Sequence, residues 1–199
     1  MTTRRVDSFR VLFPGLILIV LSLLQGCGRN AVETEVAVPE PSAAIESVAA
    51  EVVEMAIDAE SFHCLGTMTP VRHFFVDNLL GDIAATVAVA ESTDGGVYPP
   101  GSVVQLVPTE AMIKHEPGWN AATRDWEFFE LDVSADGSSI RKRGFVDVVN
   151  RFGGNCFGCH VKAEAKYDLI CEQGHGCDPI PVTREMIAAI QIADPRCVD

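Results

Sequence analysis

The pentapeptide Cys156-Phe157-Gly158-Cys159-His160 carries the most specific chemistry of this 199-residue chain, and its late position decides which folds are plausible. Two thiols separated by two residues can bond the two vinyl groups of one porphyrin, and the adjoining histidine can then bind the iron. The pattern therefore predicts covalent haem c, held by Cys156 and Cys159, with His160 as the proximal iron ligand. A redox CxxC pair or half of a disulfide that precedes a histidine by chance is the alternative.

The segments before and after this motif have alternating helix-like and strand-like patterns. Four runs rich in Val, Ile, Phe and Trp are separated by Gly, Pro, Asp and Ser, and we predict a strand in each: 84–90, 102–107, 126–133 and 140–149. Asp136-Gly137 predicts a hairpin turn between the last two. Helices are predicted over 70–81, 161–172 and 183–192. The expected fold class is α+β, an antiparallel sheet of about four to five strands with helices before and after it and haem on the sheet near the C-terminus.

The late motif argues against two common haem folds. Small electron-transfer cytochromes c usually have the motif early and an axial methionine well downstream. Here only Met186 follows the motif, in a predicted amphipathic helix where a core position is expected. Helical-bundle cytochromes c' have a late motif, but residues 84–149 predict strands.

Three stretches together resemble the cytochrome P-460 family, which includes cytochrome c'-beta. They are YPPGSVV at 98–104, DWEFFEL at 125–131, and GGNCFGCH at 153–160 behind a hairpin. The resemblance covers roughly residues 62–195. It implies a mostly β fold, often dimeric, in which haem lies on the sheet and His160 is the proximal ligand. It also implies a five-coordinate iron, used by some members to oxidise hydroxylamine and by others to bind nitric oxide.

The hydroxylamine-oxidising members of that family have a lysine crosslinked to the porphyrin, well upstream of the motif. Beyond residue 27 this chain has only Lys114, Lys142, Lys162 and Lys166. Lys142 lies in the predicted hairpin, which leaves Lys114, in a predicted loop, as the single upstream candidate. This departure weakens the hydroxylamine oxidase assignment.

The residues that face the iron's distal side decide the chemistry. Met112, Lys114 and His115 lie together between the second and third predicted strands, and each is a candidate sixth ligand with an ordinary structural role as its alternative. The remaining histidines, His63, His73 and His175, are further candidate ligands. The candidates for an apolar wall over the haem are Phe74, Phe75, Phe128 and Phe129, and the candidate proton acceptors are Glu127 and Glu130.

The N-terminus predicts export. Three arginines precede an apolar run over 11–24, which is the pattern of a signal peptide over 1–26. The sequence Leu24-Gln25-Gly26-Cys27 resembles a bacterial lipobox, so we predict a lipid on Cys27. Ordinary signal cleavage and a retained membrane anchor are the alternatives. Each of them places the rest of the chain outside the cytoplasm, and lipidation places it on the periplasmic side of a bacterial membrane, inner or outer.

Charge and length define the remaining organisation. Residues 1–26 hold three of the 15 basic and one of the 28 acidic residues, so the mature chain has 12 basic against 27 acidic side chains. Such an acidic surface repels nucleic acid and suits solubility or a cationic redox partner. Residues 27–60 are predicted to be an acidic tether with a candidate helix over 43–57, and residues 61–199 the haem-binding domain.

Four cysteines remain after lipid and haem are assigned. An even number in an oxidising compartment predicts two disulfides, for which three pairings exist. We favour Cys171 with Cys177, across a short turn, and Cys64 with Cys197, joining the two ends of the domain. A second metal or thiol site is the alternative.

These observations predict an exported, membrane-anchored mono-haem c-type cytochrome in redox chemistry or electron transfer, acting on small nitrogen compounds such as hydroxylamine or nitric oxide. One alternative is a non-catalytic haem module that binds or senses small gaseous ligands. Another is a haem-free structural lipoprotein stabilised by disulfides.

Overall fold

The computed structural model describes residues 55–151 and 153–197. The predicted signal peptide, Cys27 and most of the tether lie outside them. Residues 55–57, the end of the predicted helix over 43–57, are not helical. Within the described ranges, no helix combines the length and the apolar character needed to cross a bilayer.

A six-stranded antiparallel sheet forms the centre of the fold, and each strand pairs with the next one along the chain. The α+β class and the antiparallel sheet are confirmed, with six strands rather than four to five. The strands are β1 Thr69–Val71, β2 Phe74–Asn78, β3 Ser102–Val107, β4 Glu110–Lys114, β5 Trp126–Ser134 and β6 Gly137–Gly144. The helices are α1 Ile83–Glu91, α2 Cys156–His160 and α3 Arg184–Ile192.

Two predictions before β3 are wrong. Residues 70–81, predicted as a helix, form the β1–β2 hairpin, whose turn has Arg72 in the left-handed region at φ 52°. Residues 84–90, predicted as a strand, lie in α1. The side chain of Asp82 caps this helix by accepting a hydrogen bond from Ala85 N. Its four alanines favour a helix more than its valines favour a strand.

The predictions from β3 onwards have mixed outcomes. Those for 102–107 and 126–133 are confirmed by β3 and β5. The predicted β5–β6 hairpin is confirmed too, with its turn at Ala135-Asp136, because Ser134 pairs with Gly137. The strand over 140–149 is too long, because β6 ends at Gly144, where the backbone takes a φ of 115°.

The helix predicted over 161–172 is wrong, because that region holds only a 3₁₀ turn, Ala165–Tyr167. The helix lies instead on the motif itself, as α2. The helix over 183–192 is confirmed by α3, which Thr183 caps. Met186 is 51% exposed on α3, so the expected core position for it is wrong.

Both faces of the sheet are buried. We call one the motif face, because Phe157 of α2 packs against it; its buried side chains include Phe74, Val76, Met112, Trp126 and Phe128. The opposite, rear face is formed by Phe62, Leu65, Ile113, Phe129 and Leu131. The predicted apolar wall is therefore divided, with Phe74 and Phe128 on the motif face and Phe75 and Phe129 on the rear face.

Both favoured disulfides are confirmed, as Cys64–Cys197 and Cys171–Cys177. The first joins the start of the described fold to its end, where Asp194 adds a second link by accepting a hydrogen bond from Leu65 N at 3.0 Å. Arg196 pairs with the same carboxylate. The two ends are therefore fixed by a covalent bond and by a buried ion pair.

The two disulfides differ in the length of chain that they close, with sequence separations of 133 and 6 residues. Loop-closure entropy predicts that Cys64→Ala/Cys197→Ala lowers the free energy of unfolding by about 5 kcal/mol and Cys171→Ala/Cys177→Ala by about 2 kcal/mol. Urea denaturation of the full chain measures both values. Equal losses in the two variants contradict this ranking.

Candidate functional site

Helix α2 is short, and its surroundings hold it in place. Five residues make too few hydrogen bonds for an independent helix. Asn155 compensates, because its Oδ1 accepts from Gly158 N at 2.7 Å and its Nδ2 donates to Val146 O at 2.8 Å. Cys156 N donates to Val148 O at 3.1 Å. The motif is thereby fixed to the chain that leaves β6.

The two thiols of the motif are free, whereas the other four cysteines of the described residues are paired. Cys156 is half-buried and Cys159 is exposed, one helical turn apart. Burial, with a further contribution from Glu110, raises the pKa of the Cys156 thiol to about 11. Because the thiolate is the nucleophile in disulfide exchange, the raised pKa lowers the reactivity of this thiol at neutral pH.

His160 is oriented by a backbone carbonyl. Its Nδ1 lies 2.7 Å from Leu169 O, and since a carbonyl only accepts, Nδ1 carries the proton and the lone pair remains on Nε2. Burial lowers the pKa of this histidine, and the hydrogen bond to Leu169 opposes it only in part. The ring also meets the edge of Phe128, with centroids 5.3 Å apart. A neutral imidazole with a free Nε2 is the form that binds metal.

The three predicted distal candidates are separated by the fold. The prediction that they share a loop is wrong, because Met112 and Lys114 lie in β4 and His115 directly follows it. Met112 is buried in the core of the motif face. The Lys114 ammonium donates to both Asp168 carboxylate oxygens, at 2.8 and 3.0 Å, and to Arg124 O.

His115 lies on the other side of the sheet. Its Nε2 is 2.8 Å from Glu127 Oε2, and Trp119 stacks on its ring with centroids 4.0 Å apart. Arg143 donates two hydrogen bonds to the same carboxylate. Glu127 is therefore part of an ionic cluster at the rear face and not beside the motif.

The remaining histidines have other surroundings. His63 is exposed, and His73 Nδ1 lies 4.0 Å from Glu172. His175 stacks on Tyr167 at 3.5 Å and has its Nδ1 2.9 Å from Ile170 O. Its backbone carbonyl accepts a hydrogen bond from Glu164 N, which joins the Cys171–Cys177 loop to the segment after the motif.

A cleft of about 690 Å³ lies between the β5–β6 hairpin and the loop that leads to the motif. Glu130 lines it and is only 1% exposed; Oε1 contacts Arg141, whereas Oε2 accepts no hydrogen bond from any described residue. Glu110 is its cross-strand partner, and burial raises the pKa of that carboxyl. The cleft has the volume of a typical cofactor or ligand site and contains an unsatisfied acceptor.

Sequence reasoning treated Glu127 and Glu130 alike and missed the cleft. Side chains three residues apart on a strand point to opposite faces, so the alternation of β5 was the available signal. The free thiols and the oriented His160 fit a covalently bound haem, whereas the residues that line the cleft include none of the motif.

In comparisons with known proteins, no family model, curated protein or solved structure matches this chain. The resemblance to the cytochrome P-460 family stays a prediction from the motifs.

The pKa values of Glu127 and Glu110 are shifted in opposite directions, which predicts opposite effects of pH on the free energy of unfolding. Burial acts to raise the pKa of Glu127, but hydrogen bonds from His115 and Arg143 outweigh it and lower the pKa below the ordinary 4.5. A lowered pKa contributes stability above pH 4.5 that is lost as the pH falls through the folded-state value. We therefore expect Glu127→Gln to weaken the acid dependence of the free energy of unfolding.

Glu110→Gln is the matched control, since burial raises the pKa of Glu110 from 4.5. A raised pKa contributes stability at low pH that is lost as the pH rises through the folded-state value. Glu110→Gln therefore removes the decline in the free energy of unfolding above pH 4.5 and leaves its dependence on pH below 4.5 unchanged. Denaturant titrations across the pH range measure both. The same change in both variants contradicts the assignment.

Proposed function

We propose that this chain is an exported mono-haem c-type cytochrome, in which Cys156 and Cys159 attach the haem and His160 binds its iron. One observation carries the proposal: two free thiols one turn apart stand next to a histidine whose Nδ1 is bound to Leu169 O. Nδ1–H bonded to a carbonyl, with Nε2 left for the metal, is the usual arrangement of a metal-binding histidine.

The chain's own residues serve attachment and orientation. A bound haem supplies a redox-active iron. Asn155 fixes the start of the motif helix, and the thiols of Cys156 and Cys159 are both outside the two disulfides. Phe157 packs between Phe128 and Phe145 and excludes water from one side of the motif.

We further propose a five-coordinate iron that reacts with small nitrogen compounds, such as hydroxylamine or nitric oxide. Support comes from two of the nitrogen candidates for a sixth ligand, because Lys114 is bound to Asp168 and His115 to Glu127. The occupied Lys114 ammonium also argues against a lysine crosslink to the porphyrin.

For location we propose the periplasmic side of a bacterial membrane, with a lipid on Cys27 as anchor. Two disulfides are typical of an oxidising compartment, where covalent haem attachment also takes place in bacteria. The acidic mature chain suits a cationic redox partner, and the family resemblance favours a homodimer.

Haem attachment is tested by co-expression of the full chain with a cytochrome c maturation system. A pyridine haemochrome spectrum of the denatured protein measures covalent haem. We expect one haem per chain, and complete loss of the covalent chromophore in Cys156→Ser/Cys159→Ser. Cys171→Ser/Cys177→Ser removes two other neighbouring sulfurs and keeps the haem. A wild-type chain without covalent haem refutes the proposal and favours a disulfide-stabilised structural lipoprotein.

The coordination state is tested by absorption spectra of the purified ferric and ferrous protein. We expect high-spin five-coordinate spectra, a new ferrous band on addition of nitric oxide, and no change of spin state in Met112→Leu, because Met112 is a core residue. Low-spin six-coordinate spectra contradict the open iron and favour electron transfer. Turnover of hydroxylamine with an electron acceptor separates an enzyme from a ligand-binding module.

A further inference from the structure

The carbonyl that orients His160 belongs to an unusual turn. Asp168 and Leu169 are consecutive non-glycine residues in the left-handed region, with φ of 49° and 67°. L side chains rarely adopt this conformation, so contacts elsewhere must maintain it. The turn directs Leu169 O to Nδ1 of His160, at 2.7 Å.

The Asp168 side chain supplies those contacts. Its carboxylate accepts from Lys114 Nζ at 2.8 and 3.0 Å and from Tyr98 N at 3.0 Å. Asp168 is 1% exposed and Lys114 is 4% exposed. The ion pair is thus fully inside the protein, where each charge requires the other.

Lys114 is itself fixed by the sheet. It is the last residue of β4, opposite Trp126 of β5, and its ammonium lies 5.1 Å from the Trp126 ring. Its remaining hydrogen bond goes to Arg124 O. A continuous set of contacts therefore leads from the sheet through Lys114 and Asp168 to Leu169 O and the ring of His160.

We propose that Lys114 and Asp168 are positioning residues for the haem iron, because their ion pair holds Leu169 O against His160 Nδ1 and so determines how strongly the imidazole donates to the metal. This inference rests on the proposed haem function. A firm Nδ1–H hydrogen bond gives the imidazole partial anionic character, which stabilises ferric over ferrous iron. Loss of the ion pair weakens this bond, raises the reduction potential and weakens the iron–histidine bond.

The test compares two double variants of the haem-loaded full chain. Lys114→Met/Asp168→Leu removes the buried pair without changing the net charge, so a shift in potential comes from the geometry of His160. Lys162→Met/Asp178→Leu removes an exposed ion pair of the same residue types, two residues beyond His160. We expect a higher potential and a lower ferrous iron–histidine stretching frequency in the first variant only. Wild-type potential and frequency in that variant, with haem attached, overturn the proposal.

Lys114→Gln/Asp168→Asn provides a second change in case the first double variant does not fold. It removes both charges together, so neither is left buried without a partner, and its amide side chains keep polar groups in place of the ion pair. We expect its iron–histidine frequency to fall in the same direction by a smaller amount, and a frequency equal to that of the wild type counts against the positioning role.

A measurement without haem separates this proposal from the previous one. In the full chain expressed without haem, ¹⁵N NMR of His160 reports which ring nitrogen carries the proton. We expect the Nδ1–H form in the wild type and a shift towards Nε2–H in Lys114→Met/Asp168→Leu. If the wild type never takes up haem but shows this shift, the haem function fails and the positioning of the ring stands. An unchanged tautomer overturns the positioning.

Discussion

A positive charge that is buried inside a protein needs a negative partner. Lys114 is such a buried charge, and Asp168 is its partner. Its ammonium is at the end of β4, under Trp126, with almost no access to water. Removing one member of such a pair typically costs 3–5 kcal/mol, because the other charge is left without compensation. The segment around Asp168 must therefore lie on the sheet. The motif helix ends eight residues before Asp168, so the same contact also restricts where this helix lies.

The rest of the motif face is arranged around that contact. The loop before β3 lies close to the same segment, where Gly96 N donates to Lys166 O at 2.8 Å. A Cβ on Gly95 would come within 2.2 Å of that carbonyl, so this position requires glycine. The Cys171–Cys177 disulfide closes the next loop, and His175 O accepts from Glu164 N at 2.7 Å. Several short-range constraints thus hold the chain beside His160 without a long helix.

Sequence patterns correctly predict those elements of the fold whose structure is determined by residues close to one another in the chain. Thr183 ahead of an apolar helical pattern predicts α3, and Asp136-Gly137 predicts the β5–β6 hairpin. Counting cysteines predicts two disulfides, and the short Cys171–Cys177 turn favours the pairing that is found among three possible ones. The predictions for 70–81 and 84–90 are wrong because the residues there are compatible with either a helix or a strand. Pairing of β2 with β3 decides for a strand in the first segment, and the Asp82 cap and the alanines decide for a helix in the second. The partner of Lys114 lies 54 residues away, a distance that no local pattern encodes.

The Cys64–Cys197 bond, with its Cα atoms 5.0 Å apart, makes the described fold a closed covalent ring. The sheet, the motif and helices α1 and α3 lie within this ring. A protease that cuts one exposed loop between these cysteines opens the ring but does not divide the molecule, so the fragment that carries Cys156 and Cys159 stays joined to the sheet. Under non-reducing conditions such a nicked protein migrates as one chain. Release of the domain from its N-terminal segment requires a cut before Cys64.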